Sequence, residues 1–471
     1  MCLTDHKFFT VISHGSTIAS VNSYPAATAS LSFPLLTCST MKMRVTTLLV
    51  FAILFSFSTK AQVTKQELKT CKAIDSRTPA ALALLKAAVN INSGTMNFAG
   101  VRQVGDLFMT ELKKLGFETR WSPGDSFNRS GHLIAVHKGK SRRFLLIGHL
   151  DTVFGTESKF QTWSMVNDSI MQGPGVSDMK GGDVIIILAM QALHDAGLLN
   201  DLSVIIVMTG DEEADGKPIE LSKKEIRDAS MNADIVLGFE DGDGIPNTAL
   251  IARRGSADWK LTVTGTAAHS SQIFTNEVGR GAIFEAARIL TAFHDSLSQE
   301  ENLTFNPGLI AGGGAVLLND TANTVVASGK DNIVSSEVIV TGDLRAVSSD
   351  QLKKARQIMY HIVEQQESHT SATLSFSDDG YPPMSLTGGN QKLLEEYSRV
   401  SMDLGFGPVT AVPPRHAGAA DISFASEYVP MALDGLGIAG SGGHTVNENA
   451  NIHYLSIDAK RAAVLISRLA Q

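Results

Sequence analysis

Five places in this chain close an apolar run, or follow one at once, with a histidine or a carboxylate. They are His149 and Asp151 in LLIGHLDTVF, Asp178 in GPGVSDMKGG, Glu212 and Glu213 in TGDEE, Glu240 in LGFEDG, and His444 in GSGGHTVNENA. Singly, each is compatible with something ordinary: a hydrogen-bonded His and Asp, a solvated acidic turn, a glycine-rich loop. Jointly they are more specific. Ligands of open α/β sheets bind beyond the carboxyl ends of the strands, and carboxylates converging there repel one another unless a cation lies between them. Imidazole with carboxylate suits zinc or a similar divalent ion, and one shared carboxylate can hold two metals roughly 3.5–4 Å apart. The chemistry predicted is that of a paired divalent metal centre.

Hydrophobic periodicity supplies the elements that must position these residues. HLIAVHKG, RFLLIGHLD, LSVIIVMTGDEE and ADIVLGFEDG read as strands, and GGDVIIILAMQALHDAGL as a helix between two of them. Residues 64–117 carry helical spacing. Strand, helix and strand in that order predict an α/β fold with a central, mostly parallel sheet. Near Asp258 the pattern changes to β-α-β-β-α-β, the order of a ferredoxin-like α+β unit. The expected organisation is therefore a catalytic domain in two parts, 62–256 and 379–471, interrupted by a smaller domain at 257–378. None of the five places lies in that insertion. AGGGA at 311–315 lacks the lysine and hydroxyl residue of a phosphate loop and is expected to let backbones approach closely. No G-x-S-x-G elbow supports a serine nucleophile at Ser271 or Ser441.

Length and composition bound the rest. The 471 residues are 43% hydrophobic and 19% charged, enough for more than one globular core. A formal net charge of -8, with no long Lys/Arg run, argues against a nucleic-acid partner. From Met41 the order is a basic start at Lys42 and Arg44, an apolar stretch from Leu48 to Phe55, and small residues to Ala61. That is the order of a signal peptide over 41–61, too short to span a membrane, with 1–40 as an over-extended start. The alternative is a disordered tail followed by a short anchor. Export to the periplasm or beyond is expected, with no stable membrane span in the mature chain. After cleavage Cys71 is the one cysteine left, so no intrachain disulfide can form.

GHLDTV, GPGVSDMKGG, TGDEE, GFE, GTAAHSS and GGHTVNENANI together resemble the co-catalytic zinc peptidases: glutamate carboxypeptidase, di- and tripeptidases, aminoacylase and succinyl-diaminopimelate desuccinylase. The match runs in order along nearly the whole chain after residue 61 and is nearest the glutamate carboxypeptidase branch. The resemblance implies a zinc-peptidase-like catalytic domain and two zinc ions per subunit, with cobalt or manganese as alternatives. By motif, His149 and Glu240 would hold one zinc, Glu213 and His444 the other, and Asp178 would bridge both. Asp151 would accept a hydrogen bond from the far nitrogen of His149. Glu212 would be the general base acting on the water that bridges the metals. The split between Glu212 and Glu213 is physically sensible, because adjacent residues at a strand end point to different sides.

The resemblance also implies that the inserted domain dimerises the protein and closes over substrate. His269 in GTAAHSS would reach the partner subunit's site and stabilise the developing oxyanion. Asn332 in KDNIV and Arg345 in GDLR would bind substrate, Arg345 through a bidentate carboxylate contact; the structural alternative for Arg345 is an ion pair with Asp343 or Glu337. One departure matters. Where the carboxypeptidase branch has an arginine before a proline, GYPP here has Tyr381. That weakens glutamate as the preferred end group, and Arg415 or His416 in RHAGAAD is expected to replace the charge, while Asp421 keeps the family's aspartate. The expected activity is hydrolysis of amide bonds in small peptides or N-acyl amino acids that carry a free carboxylate. An aminoacylase is the rival within the class. A catalytically silent metal-binding or interaction protein is the rival outside it, and the intact set of ligands argues against that one.

Overall fold

The computed structural model describes residues 63–319, 324–377 and 379–470. The over-extended start expected at 1–40 and the signal peptide expected at 41–61 lie outside the described residues. No helix among the described residues is long and apolar enough to cross a membrane.

A six-stranded sheet carries the fold, in the order Glu118–Pro123, Gly131–His137, Ser203–Thr209, Arg143–His149, Ile235–Gly238 and Ala432–Leu433. Its first two pairings are antiparallel and the other three parallel. The strand Arg143–His149 sits inside the parallel part and is covered on both faces, which explains its continuous apolar run. Phe144 and Leu146 face a core built with helices Lys65–Val89, Lys180–Ala196 and Ile452–Leu469. Leu145 and Ile147 face the opposite core, with Val207, Ile226 and Phe424. Such alternation follows from the two-residue period of a strand. Because Leu146 is fully buried, Leu146→Ala is expected to lower the free energy of unfolding by about 2–5 kcal/mol. Urea titration would read this as a lower midpoint at an unchanged slope.

Strands Thr304–Gly313, Glu337–Ala346, Gly255–Gly265 and Thr370–Phe376 form a separate, wholly antiparallel sheet of four. Helices Gly281–Leu297 and Ser349–Glu364 pack on it around Trp259, Phe293, Val340 and Met359. This is the β-α-β-β-α-β arrangement expected from the sequence, with one difference. The apolar stretch LIAGGGAVLL does not form a single strand. It breaks at Gly314, and Ala315–Asn319 pairs with Thr324–Ser328 in an added hairpin. The glycines permit the break: the Gly314 N–H donates to the Ser328 carbonyl at 2.7 Å, and a Cβ on Gly313 would lie 2.5 Å from that oxygen.

Two other elements depart from the sequence pattern. The strand expected in PMALDGLG is reduced to Ala432–Leu433, because Asp434 turns its carboxylate to Arg253 at 2.6 Å and Gly435 takes a positive φ of 75°. A small sheet of Gly440–Ser441, Asn449–Asn451, Ile170–Gln172 and Ser164–Met165 frames the His444 loop. Strands of two or three residues are too short to leave a periodic signature.

Candidate metal centre

Strand register brings the ligand-type residues to one edge. His149 lies opposite Thr209, and Ile147 opposite Gly238, so the chain leaves three neighbouring parallel strands at the same end. It then supplies His149 and Asp151, Glu212 and Glu213, and Glu240. Asp178 occupies the turn just before helix Lys180–Ala196. His444 lies between strands Gly440–Ser441 and Asn449–Asn451 with φ 60°, a left-handed conformation unusual for histidine.

Asp178 stands between the two histidines. Its Oδ1 is 3.1 Å from His149 Nε2 and its Oδ2 is 3.1 Å from His444 Nε2. His149 Nε2 also lies 3.5 Å from Glu240 Oε1, and His444 Nε2 3.1 Å from Glu213 Oε2. Donor atoms of His149, Asp178 and Glu213 lie within 4.8 Å of one another, as do those of His149, Glu212 and Glu240. Glu212, expected to be a base rather than a ligand, is thus within reach of the same space.

Asp151 serves the cluster in a manner the sequence did not predict. His149 Nδ1 faces it, but the nearer acceptor is the Asp151 backbone carbonyl at 3.1 Å, with the carboxylate at 3.5 Å. The carboxylate is occupied elsewhere: it accepts the Glu212 and Glu213 backbone N–H groups, each at 3.1 Å, and the Thr95 hydroxyl at 2.6 Å. Buried Asp151 therefore ties the His149 strand to the Glu212–Glu213 turn. Glu448, which sequence reasoning missed, does the same for Asp178. Its carboxylate accepts backbone N–H groups of Gly175 at 3.0 Å, Ser177 at 2.9 Å and Asp178 at 3.2 Å. Its place in the quoted GGHTVNENANI motif was the sole sequence signal.

The electrostatics show a cluster short of positive charge. Burial pushes Glu212, Glu213 and Glu240 above the usual carboxylate range, with Asp178 adding repulsion to each and His149 opposing it. Burial acts on Asp178 in the same sense, but hydrogen bonds to His149 and His444 outweigh it and hold that carboxyl well below the usual range. His149 is the converse: burial favours the neutral ring, yet Glu240, Asp151 and Asp178 keep its pKa well above the usual histidine value. Hydrogen bonds to Asp178 and Glu213 raise His444 to about 11. In the protein alone both imidazoles are thus drawn towards their charged forms by the surrounding carboxylates. Three carboxylates, four with Glu212, and two imidazoles at these separations fit a divalent pair, which would supply the missing charge once the rings give up their protons.

The substrate-side residues fall into two groups. His269 and Asn332 lie together on the smaller unit: Ser270 donates its N–H to the Asn332 carbonyl at 2.8 Å, and exposed His269 contacts Ser271 Oγ through Nδ1 at 2.9 Å. Among the described residues neither touches the metal cluster. Arg345 donates to Asp343 at 2.8 Å, the structural alternative weighed for it. Arg254 was not singled out from the sequence. It donates to Thr304 Oγ1 at 2.8 Å, a residue paired in register with Arg345, and to the Arg415 carbonyl at 3.0 Å. Partial burial, then the charges of Arg345 and Arg415, lower the Arg254 pKa, and its buried Nε has no hydrogen-bond partner among the described residues. Arg254 is thus close enough to Arg345 and Arg415 to feel both charges, and Arg415 and His416 are exposed.

The sequence profile of peptidase family M20/M25/M40 matches residues 145–468, a stretch that holds every residue of the cluster. The chain belongs to this family. Carboxypeptidase G2 of Pseudomonas sp. (strain RS-16) is 24% identical over 368 residues, covering 78% of this chain and 83% of that relative. Aminopeptidase PepT of Bacillus cereus has a TM-score of 0.66 at 17% identity, covering 84% of this chain and 99% of that one. The YXEP protein of Bacillus subtilis, described as a dinuclear metal binding peptidase from the M20 family, has a TM-score of 0.59 at 12% identity, covering 84% and 99%. The structural likeness shows a shared α/β fold. The M20 chain is a metal-dependent peptidase, in keeping with the resemblance read from its motifs.

Proposed function

We propose that this M20 peptidase is a zinc-dependent carboxypeptidase or dipeptidase that cleaves amide bonds in small substrates bearing a free carboxylate. The observation that carries the reading is Asp178, one carboxylate whose two oxygens each lie 3.1 Å from a different histidine. On this reading His149 and Glu240 would hold one metal, Glu213 and His444 the second, and Asp178 would serve both. The bound ions would polarise the acyl oxygen and make water a stronger acid. Glu212 takes a proton from the attacking water and returns it to the leaving nitrogen. Asp151 and Glu448 keep the ligand turns in place through the backbone bonds described above.

Substrate carboxylate is received by Arg345 with Arg254 and Arg415. The site is completed in a homodimer, where His269 of a second copy stabilises the oxyanion and Asn332 adds a substrate contact. Support for a second copy comes from the apolar side chains left exposed on the smaller unit beside His269, namely Phe274, Ile283 and Phe284. Export rests on the residue order of 41–61.

The test is product analysis by mass spectrometry on zinc-loaded protein given dipeptides, longer peptides and N-acyl amino acids, with a chelated control. Chelator-sensitive release of C-terminal amino acids supports the proposal; release of acyl groups alone makes the protein an aminoacylase. Arg254→Ala is expected to raise KM for substrates ending in Asp or Glu about tenfold, the effect of one charge-assisted hydrogen bond, with kcat little changed. An unchanged KM would remove Arg254 from the substrate site.

A further inference from the structure

Beneath the Glu212–Glu213 turn lies a second charged cluster that supplies no metal ligand. Lys223 is fully buried. Its Nζ donates to Asp211 Oδ1 at 3.1 Å and to the Asp211 carbonyl at 3.2 Å. It also lies 3.0 Å from Asp215 Oδ1 and 2.9 Å from Asp421 Oδ1. The last is an ion pair outside hydrogen-bonding alignment, since Asp421 Oδ1 has no hydrogen-bond partner among the described residues. Asp421 instead accepts the Thr209 hydroxyl through Oδ2 at 2.5 Å. Asp211 closes the turn on itself by accepting the Gly216 N–H at 2.9 Å and the Ser222 hydroxyl at 2.6 Å. One ammonium thus gathers carboxylates from both sides of Glu212 and from a segment some two hundred residues away.

Tyr381 completes this cluster from above. Its hydroxyl lies 2.9 Å from Asp215 Oδ1 and 3.2 Å from the Glu212 carbonyl oxygen, both acceptors. Its ring packs on Phe424 at 4.9 Å and stands 5.6 Å from Lys223 Nζ. The backbone at Tyr381 belongs to the crossing between the two sheets: its carbonyl accepts the Ser256 N–H at 3.0 Å, and Met384 exchanges N–H bonds with Arg253 at 3.0 and 3.1 Å. Both strands of that crossing are therefore tied together where Tyr381 reaches the turn.

We propose that Tyr381 and Lys223 form a clamp that positions Glu212, so that the crossing from the smaller unit sets the placement of the general base. Tyr381 acts on the Glu212 backbone, and Lys223 acts through Asp211 and Asp215; both are positioning residues. Tyr381 then has a use at the very place where the carboxypeptidase branch has an arginine, and Asp421 a use as the counter-charge that keeps Lys223 buried. The clamp rests on the reading of Glu212 as base.

The experiment compares zinc-loaded full-length wild type with Tyr381→Phe, which removes the hydroxyl and keeps the ring. Losing one hydrogen bond to the turn is expected to lower kcat about tenfold with KM within about twofold. Zinc content should stay at the wild-type level, and amide hydrogen exchange over residues 210–216 should speed up in both metal-loaded and metal-free protein. Asp215→Asn, which alters the acceptor, should give the same split between kcat and KM. A Tyr381→Phe enzyme with wild-type kcat and wild-type exchange overturns the clamp. Glu212→Gln, run alongside, separates the two failures: full activity there overturns the base reading, whereas an inactive Glu212→Gln beside a wild-type-like Tyr381→Phe overturns the clamp alone.

Discussion

Glu212→Gln should lower kcat by about 10²–10⁴, the usual contribution of a positioned general base, while metal content stays at the wild-type level. Glutamine keeps the size of the side chain and the backbone bond from Glu212 to Asp151 at 3.1 Å, so the turn should not move. What it loses is the ability to accept a proton. The geometry makes this a discriminating substitution, because Glu212 shares donor-atom space with His149 and Glu240. A base leaves the metal stoichiometry intact when replaced; a ligand does not. Elemental analysis beside single-substrate kinetics would separate the two, and a loss of one metal per chain would reassign Glu212 from base to ligand.

Asp178→Asn should weaken metal binding at both positions. The carboxylate faces a histidine with each oxygen, and an amide can present one oxygen and no net charge. Zinc affinity is expected to fall by more than the roughly 10–100-fold seen when an outer-shell partner is lost, and activity should fall with it. The pH dependence has a definite sign. In the metal-free cluster His444 is raised to about 11 by Asp178 and Glu213, so at neutral pH it carries a proton that a metal must displace. Metal uptake therefore releases protons, and affinity rises with pH. In Asp178→Asn the hydrogen bond that contributes most to holding the His444 proton is weakened, so fewer protons should be released per metal bound. Isothermal titration in two buffers of different ionisation enthalpy measures that number directly.

Much of this molecule is legible in local sequence. The strand Arg143–His149 is readable because both of its faces are buried, which forces a continuous apolar run and leaves His149 conspicuous at its end. The β-α-β-β-α-β unit is readable because its strands and helices are long enough to show their periods. Three of the five ligand-bearing places are readable for a related reason: His149, the Glu212–Glu213 pair and Glu240 each close or follow such a strand, whereas Asp178 precedes a helix and His444 stands between strands of two and three residues, so residue type and motif rather than periodicity marked them.

The tertiary structure decided the rest, and the reason is distance along the chain. Glu448 lies 270 positions from the Asp178 N–H it accepts, and Tyr381 lies 169 positions from the Glu212 carbonyl it meets. Arg253 and Asp434 pair across 181 positions, and that pairing, more than any local propensity, cuts short the strand expected in PMALDGLG. Asp151 shows the same limit at short range. Its spacing from His149 suggested a carboxylate behind an imidazole, but the backbone carbonyl is nearer, and the carboxylate is drawn to two N–H groups brought in by another strand. Sequence determined which residues stand at the strand ends, because burial and periodicity are local. Which partner each polar atom takes was decided by the fold, because a buried donor or acceptor must be satisfied by whatever packing places within about 3 Å of it.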